Sequence, residues 1–139
     1  MYIRFITLWW EVRRGVHYGL FGPAYECARD ADVPLVLREA LWTEIDWFEA
    51  NLPVPERSSF LVKSRRRFRA DGICWFTDSA REAIARAFAV AALLRDCGVP
   101  VAKVATHRPG QILYRDAWQI VAKPDAATPT TWHYGLRRS

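Results

Sequence analysis

The chain has 139 residues and a formal net charge of +5, with 51% hydrophobic and 25% charged residues. This length predicts a single domain whose core needs no disulfide or metal to hold it together. No apolar run approaches the roughly 20 residues of a membrane-spanning helix, and the basic pair Arg13-Arg14 follows the first apolar stretch, whereas a secretory signal has its basic residues first. We therefore expect a cytoplasmic protein.

The cysteines and histidines argue against a metal site or a disulfide framework. The cysteines Cys27, Cys74 and Cys97 are odd in number and contain no CxxC pair, and the three histidines show no ligand spacing with them. This usage predicts free thiols in a reducing compartment, with no metal and no cofactor. Because Cys74 lies in an apolar stretch, we expect it to be a small buried hydrophobe.

Charge is distributed unevenly along the chain. Residues 26–56 contain eight acidic residues against two arginines, whereas residues 57–69 contain six basic residues and no acidic one. Such a dipolar surface is typical of a protein that meets an anionic partner on one side only.

The first element predicted is a strand over Tyr2–Trp10, in which β-branched and aromatic side chains alternate. Ile3 and Phe5 then face one way, and Arg4 and Ile6 the other. The glycines and arginines of residues 11–22 predict a connecting loop, and residues 23–29 a short helix.

A longer helix follows, with Asp32 as its expected N-cap and Pro34 in its first turn. Leucine, isoleucine and phenylalanine recur at helical spacing up to Leu52 and predict one buried stripe. Phe60–Lys63 is predicted as a short edge strand.

Residues 73–76, Ile-Cys-Trp-Phe, carry no charged side chain and predict a strand in the middle of a sheet covered on both faces. Ser79 and Glu82 have the spacing of a capping box at the start of a helix that ends near Cys97, with Gly98 as its left-handed terminator. Beyond Arg86 this helix is apolar all round. We expect its second half to be covered by the sheet and by a second layer, either the preceding helix or a second copy of the chain.

Three further strand-like runs, at residues 101–106, 112–114 and 118–122, surround the Pro109-Gly110 turn. The predicted fold class is therefore α+β, with an open, mainly antiparallel sheet covered by two principal helices. We assign residues 1–124 to this domain and residues 125–139 to an extended C-terminal tail.

The basic run at residues 63–69 is the leading candidate for recognition. Its positive charges suit phosphate contacts, and an aromatic ring among them suits stacking on a base. The candidate binding residues are Lys63, Arg65, Arg66, Arg67, Phe68 and Arg69. A solvated loop is the alternative interpretation. The leading hypothesis is thus a small interaction module that engages a protein or a nucleic acid.

A second aromatic and basic cluster consists of Trp9, Trp10, Arg13 and Arg14. Tryptophan and arginine side chains dominate binding hot spots at protein interfaces. A strand end that seals the core would explain the two tryptophans equally well.

The alternative hypothesis is a small transferase or hydrolase. Residues 72–79, from Gly72 to Ser79, resemble the middle strand of ADP-ribosyltransferases, although the partner motifs of that family do not appear elsewhere in the chain. The resemblance implies a site near the helix start, where backbone amides can bind an anion, beside the turns at 108–116. The secondary candidates there are Thr77, Asp78, Arg108, Tyr114 and Asp116, and helix capping and hairpin turns are the alternative explanation for them.

A wider resemblance rests on Cys74-Trp75-Phe76, Asp78, Arg108-Pro109-Gly110, Tyr114, Asp116, Gln119-Ile120-Val121-Ala122 and Pro124. With these residues the chain resembles a group of short, uncharacterised bacterial proteins, over a region from the first strand to Pro124. The resemblance implies no activity and no functional residue.

Overall fold

A computed structural model describes residues 1–11, 16–55, 61–64, 67–70 and 72–130, with the backbone alone for residues 11, 61–64 and 67–70. The strands are β1 (Tyr2–Thr7), β2 (Trp10–Glu11), β3 (Val16–His17), β4 (Leu61–Ser64), β5 (Arg67–Ala70), β6 (Ile73–Thr77), β7 (Val101–Thr106), β8 (Gln111–Arg115) and β9 (Gln119–Lys123). The helices are α1 (Phe21–Arg29), α2 (Leu35–Asn51) and α3 (Arg81–Asp96).

Five strands form the main sheet, in the order β7-β1-β6-β9-β8, and every neighbouring pair is antiparallel. This confirms the predicted α+β class with an open antiparallel sheet. The described residues form three helices, because the short α1 adds to the two principal helices that the sequence predicts. Among the described residues, strands β2 and β3, and strands β4 and β5, pair as two further ribbons that are separate from the main sheet.

The connection between β7 and β8 shows that the sheet is not flat. These are the two edge strands, yet only residues 107–110 join them. In a flat sheet the two edges would lie about 19 Å apart, and Thr106 and Gln111 would also lie at opposite ends of their strands. The connection reaches at most about 19 Å. The sheet is therefore not flat, and it must twist or coil enough to bring Thr106 and Gln111 within this reach.

One face of the sheet packs against all three helices. Phe5 of β1 and Phe76 of β6 meet a core that includes Leu41, Ile45 and Leu94 from α2 and α3. Val90 and Leu94 of α3 are fully buried. Helix α2 packs against α3, but Phe88 and Ala92 of α3 are exposed, so the second half of α3 is covered only in part.

The opposite face has its own core. Ile6, Ile73 and Trp75 pack there with residues of β3, β7 and β9, and Trp75 is 1% exposed. The predicted alternation of Ile3 and Phe5 against Arg4 and Ile6 is thus confirmed. Burial on both faces also confirms the central place of β6, with one exception. Cys74 was expected to be buried and is exposed.

Strand β1 pairs unequally with its two neighbours. Six residues of β1 pair with β7, from Tyr2↔Thr106 to Thr7↔Val101, but only Tyr2 and Ile3 pair with β6. We call the interval between β1 and β6 beyond Ile3 the seam. The sheet therefore consists of a two-strand and a three-strand half, joined across the seam.

Two predicted helix caps are wrong. Helix α2 begins after Pro34, and Asp32 instead donates its backbone N–H to the Asp30 carboxylate at 2.9 Å. Helix α3 begins after Ala80 without a side-chain cap. The Ser79 hydroxyl lies 3.2 Å from that of Thr77, so a competing local hydrogen bond replaces the capping box.

The two glycine turns are confirmed. Gly98 ends α3 with φ of 85°, and Gly110 lies before β8 with φ of 102°. They differ in their surroundings, because a Cβ at Gly110 would lie 1.9 Å from the Lys123 carbonyl oxygen, whereas a Cβ at Gly98 would meet no atom within 4 Å. The assignment of residues 125–139 to a tail stays a prediction, and residues 131–139 lie outside the described part of the chain.

We predict that Gly110→Ala destabilises the protein by about 3 kcal/mol or more, because it combines a backbone clash with an unfavourable φ. Gly98→Ala is the matched control and should cost only about 1 kcal/mol, from φ alone. Urea unfolding of both variants measures the difference. Equal losses would contradict the close approach of Gly110 to β9.

Candidate functional site

The basic run folds as part of a two-stranded antiparallel ribbon. Strand β4 supplies Lys63, and the run itself supplies β5, with the backbone register Val62↔Arg69, Lys63↔Phe68 and Ser64↔Arg67. Arg65 and Arg66 lie outside the described residues, in the two positions between the strands. The predicted strand at 60–63 is confirmed in β4. We refer to residues 61–70 as the basic ribbon.

Strand pairing places Lys63 opposite Phe68, the residue between Arg67 and Arg69. Backbones of paired strands lie about 4.8 Å apart, so these three basic residues belong to one short ribbon. Within the described part of the chain, β4 and β5 pair with each other and with no strand of the main sheet. Three of the candidate binding residues, Lys63, Arg67 and Arg69, therefore belong to one separate strand pair.

The aromatic cluster lies on the other small ribbon, β2–β3. Trp9 and Trp10 are 38% and 47% exposed, and Trp10 makes an edge-to-face contact with His17 at 4.9 Å between ring centroids. The Arg4 guanidinium donates to the His17 carbonyl oxygen at 2.7 Å and ties this ribbon to β1. Arg13 and Arg14 lie outside the described residues.

Thr77 and Asp78, the candidates at the start of α3, have different surroundings. The backbone N–H of Thr77 donates to the Trp118 carbonyl oxygen at 3.0 Å, and its hydroxyl is also within 3.3 Å of that oxygen. Asp78 is exposed. Thr77 therefore joins the end of β6 to the turn before β9, and these hydrogen bonds give it a structural role.

Tyr114 and Asp116 come together through a hydrogen bond. The Tyr114 hydroxyl donates to one carboxylate oxygen of Asp116 at 2.7 Å, and the other oxygen accepts the backbone N–H groups of Trp118 and Gln119 at 2.7 and 2.9 Å. This bond to the carboxylate raises the pKa of Tyr114 above its ordinary value. Asp116 thus organises the β8–β9 turn.

Arg108 stays apart from this pair. It is exposed in the β7–β8 connection, and its backbone N–H donates to the Thr106 hydroxyl at 3.0 Å. Within the described part of the chain, no hydrogen bond or ion pair joins it to Tyr114 or Asp116. The five secondary candidates therefore do not converge on one reacting centre.

A cavity that the sequence did not predict opens at the seam. It has a volume of about 430 Å³ and is lined mainly by apolar side chains of β1, α1, β6 and residues 52–55. Gln119 also lines it, and its side-chain amide donates to the Pro53 carbonyl oxygen. A second cavity of about 400 Å³ lies between α1 and the end of α3. Neither cavity is lined by Thr77 or Tyr114.

The residues that the structure describes contain no group of three or more histidine, cysteine, aspartate or glutamate side chains able to hold a metal ion. Among the same residues, no helix combines the length and the apolar character needed to cross a membrane.

Comparisons with known proteins give no match. No family model, no curated protein and no solved structure matches this chain. The resemblances to ADP-ribosyltransferases and to the group of short bacterial proteins therefore stay predictions from the residues named above.

We predict that Asp116→Ala destabilises the protein by roughly 1 to 2 kcal/mol, because three donors lose their acceptor. Tyr114→Phe, which removes only one of these hydrogen bonds, is the control and should cost less in the same urea titration. Unchanged stability in Asp116→Ala would contradict the structural role and favour a chemical one.

The Tyr114–Asp116 bond also predicts a dependence on pH. Only the neutral phenol can donate, so its stabilising effect is complete below the ordinary tyrosine pKa and is lost as pH rises through the raised value. We expect Asp116→Asn to lower the pKa of Tyr114, as measured by an NMR titration of the tyrosine ring. The other tyrosines in the same spectra are the internal control.

Proposed function

We propose that this protein is a small nucleic-acid-binding module that contacts phosphates through the basic ribbon. The observation that carries the proposal is the backbone of residues 61–64 and 67–70, an antiparallel ribbon apart from the main sheet. Five of the seven residues from Lys63 to Arg69 are basic.

A two-stranded ribbon has a suitable shape for this task. The major groove of a DNA duplex admits a two-stranded β-ribbon as well as a helix. Lysine and arginine on such an element replace counterions at the phosphates, and this release supplies sequence-independent affinity. The shape of the ribbon and its charge therefore favour the same class of partner.

The acidic surface of α2 supports an oriented approach. Glu39, Asp46 and Glu49 are exposed along α2, and Arg38 is its only basic residue. A polyanion is repelled from this side and attracted to the basic ribbon. The uneven charge along the chain thus corresponds to distinct secondary-structure elements.

Phe68 extends the proposed ligands from duplexes to single strands. It stands between Arg67 and Arg69 in β5, and an aromatic ring among phosphate-binding residues stacks on unpaired bases with little sequence preference. Trp9 and Trp10 offer further exposed rings. The proposed ligand is therefore a nucleic acid bound without sequence specificity, in the cytoplasm.

A protein partner, self-association through residues 79–97 and the enzyme hypothesis stay predictions. The separate surroundings of Thr77, Arg108 and Tyr114 give the enzyme hypothesis no convergent site to build on. We give the nucleic-acid module priority for that reason.

We predict that Arg67→Ser/Arg69→Ser weakens binding to a labelled 20-nucleotide single-stranded DNA by about tenfold or more at moderate salt. It should also reduce the slope of log K against log salt by roughly 0.7 for each phosphate that the variant no longer neutralises. Fluorescence anisotropy across a salt series measures both quantities. Phe68→Ala should weaken single-stranded binding more than duplex binding.

The control is Arg81→Ser/Arg108→Ser, which removes the same charge at exposed positions outside the ribbon and should leave the slope unchanged. If the two double variants weaken binding equally, the affinity depends on the net charge of the protein and not on the basic ribbon. If the wild-type protein does not bind the DNA, or if its affinity does not change with salt, the proposal is wrong.

A further inference from the structure

The cavity at the seam contains a buried amide whose hydrogen bonding is incomplete. Gln119 is 4% exposed and lines this cavity. Its amide nitrogen donates to the Pro53 carbonyl oxygen, whereas its amide oxygen accepts no hydrogen bond from the described residues. That oxygen is also not one of the side-chain atoms that are sealed from solvent without a partner. It is therefore open to the cavity and offers a hydrogen-bond acceptor there.

Tyr18 places an aromatic ring at the same cavity. It is 38% exposed and lines the cavity close to the start of α1. Its backbone N–H donates to the Trp9 carbonyl oxygen at 2.8 Å, and its own carbonyl oxygen accepts from the N–H and the hydroxyl of Thr7 at 2.9 and 3.1 Å. These bonds fix the backbone of Tyr18, so the exposed ring can stack on a ligand without a rearrangement of the chain.

The basic ribbon leads directly into the wall of this cavity. Strand β5 ends at Ala70, and β6 begins at Ile73, which lines the cavity. Because a chain extends by at most about 3.6 Å per residue, the end of β5 lies within about 11 Å of that wall. A nucleic acid whose phosphates contact the ribbon therefore passes close to the cavity.

We propose that the seam cavity accepts one unstacked base of a single-stranded nucleic acid, an inference that rests on the function proposed above. Tyr18 stacks on the base, apolar side chains such as Ile3 and Phe5 surround it, and the Gln119 amide oxygen accepts a hydrogen bond from it. Proteins that bind single strands use the same combination of aromatic stacking and hydrogen bonds to base edges. The cavity volume of about 430 Å³ lies in the usual range for small-molecule sites.

Gln119 gives this site a base preference. Adenine and cytosine carry an exocyclic amino group that donates hydrogen bonds, whereas thymine carries a carbonyl oxygen that only accepts them. An amide oxygen therefore favours adenine and cytosine over thymine. The phosphate contacts of the ribbon remain independent of sequence, so the preference comes from the cavity alone.

The first experiment uses the exposed Cys74, which lines the cavity, as a reporter. The reduced, full-length protein is alkylated with N-ethylmaleimide in the presence of saturating 20-nucleotide oligo(dA) or of an abasic strand of the same length. We expect oligo(dA) to slow the alkylation of Cys74 severalfold and the abasic strand to leave it unchanged. Cys97 lies outside this cavity and is the internal control in the same peptide map.

The second experiment compares variants by fluorescence anisotropy. Tyr18→Ala should weaken the binding of oligo(dA) by about tenfold, as expected for the loss of a stacking ring, with an unchanged salt slope because no phosphate contact is lost. Gln119→Met should abolish the preference for oligo(dA) over oligo(dT). Tyr25→Ala removes a half-buried tyrosine of α1 outside the cavity and should leave the affinity unchanged.

The two proposals fail in different ways. Salt-dependent binding with equal alkylation of Cys74 under both strands, or with unchanged affinity in Tyr18→Ala, would overturn the base site and leave the ribbon as the nucleic-acid contact. If oligo(dA) and the abasic strand both fail to bind, the proposed function and the base site are wrong together. The alkylation assay uses the wild-type protein, so it gives this result even if Gln119→Met does not fold.

Discussion

The short connection between β7 and β8 constrains the whole molecule. Because residues 107–110 must join the two edges of a five-stranded sheet, the sheet cannot be flat and must twist or coil. One face packs against α1, α2 and α3, and the other has a separate core around Trp75. The constraint depends on Gly110, whose missing side chain lets the connection pass against the Lys123 carbonyl group.

Signals that depend on backbone conformation were readable from the sequence. Gly98 and Gly110 were predicted because few other residues adopt positive φ, and the strand faces of β1 followed from simple alternation. The predictions for Asp32 and Ser79 failed for a local reason. Each residue type can cap a helix, but Asp32 lies two residues before Pro34, the residue at the N-cap position of α2, and the Ser79 hydroxyl lies beside that of Thr77. Sequence spacing does not show which of two short-range partners is preferred.

The functional candidates also differ in how far the sequence alone could predict them. A run of basic residues is visible in any sequence, and the structure adds that residues 61–64 and 67–70 pair as two antiparallel strands. The packing of Cys97 against the core that contains Cys27 depends on how α1 meets the end of α3, and no local pattern encodes that. Tyr114 and Asp116 had the chemistry of an acid and a base, but their hydrogen bonds are those of a turn.

The seam makes the sheet mechanically uneven. Two residue pairs connect β1 to β6, whereas six connect β1 to β7, so the backbone ladder alone holds the halves together weakly. Side-chain packing of Phe5 and Phe76 beneath the helices supplies the rest of the cohesion. In local opening motions, β1 and β7 should therefore move together relative to β6, β9 and β8. The cavity at the seam should change its volume with this motion.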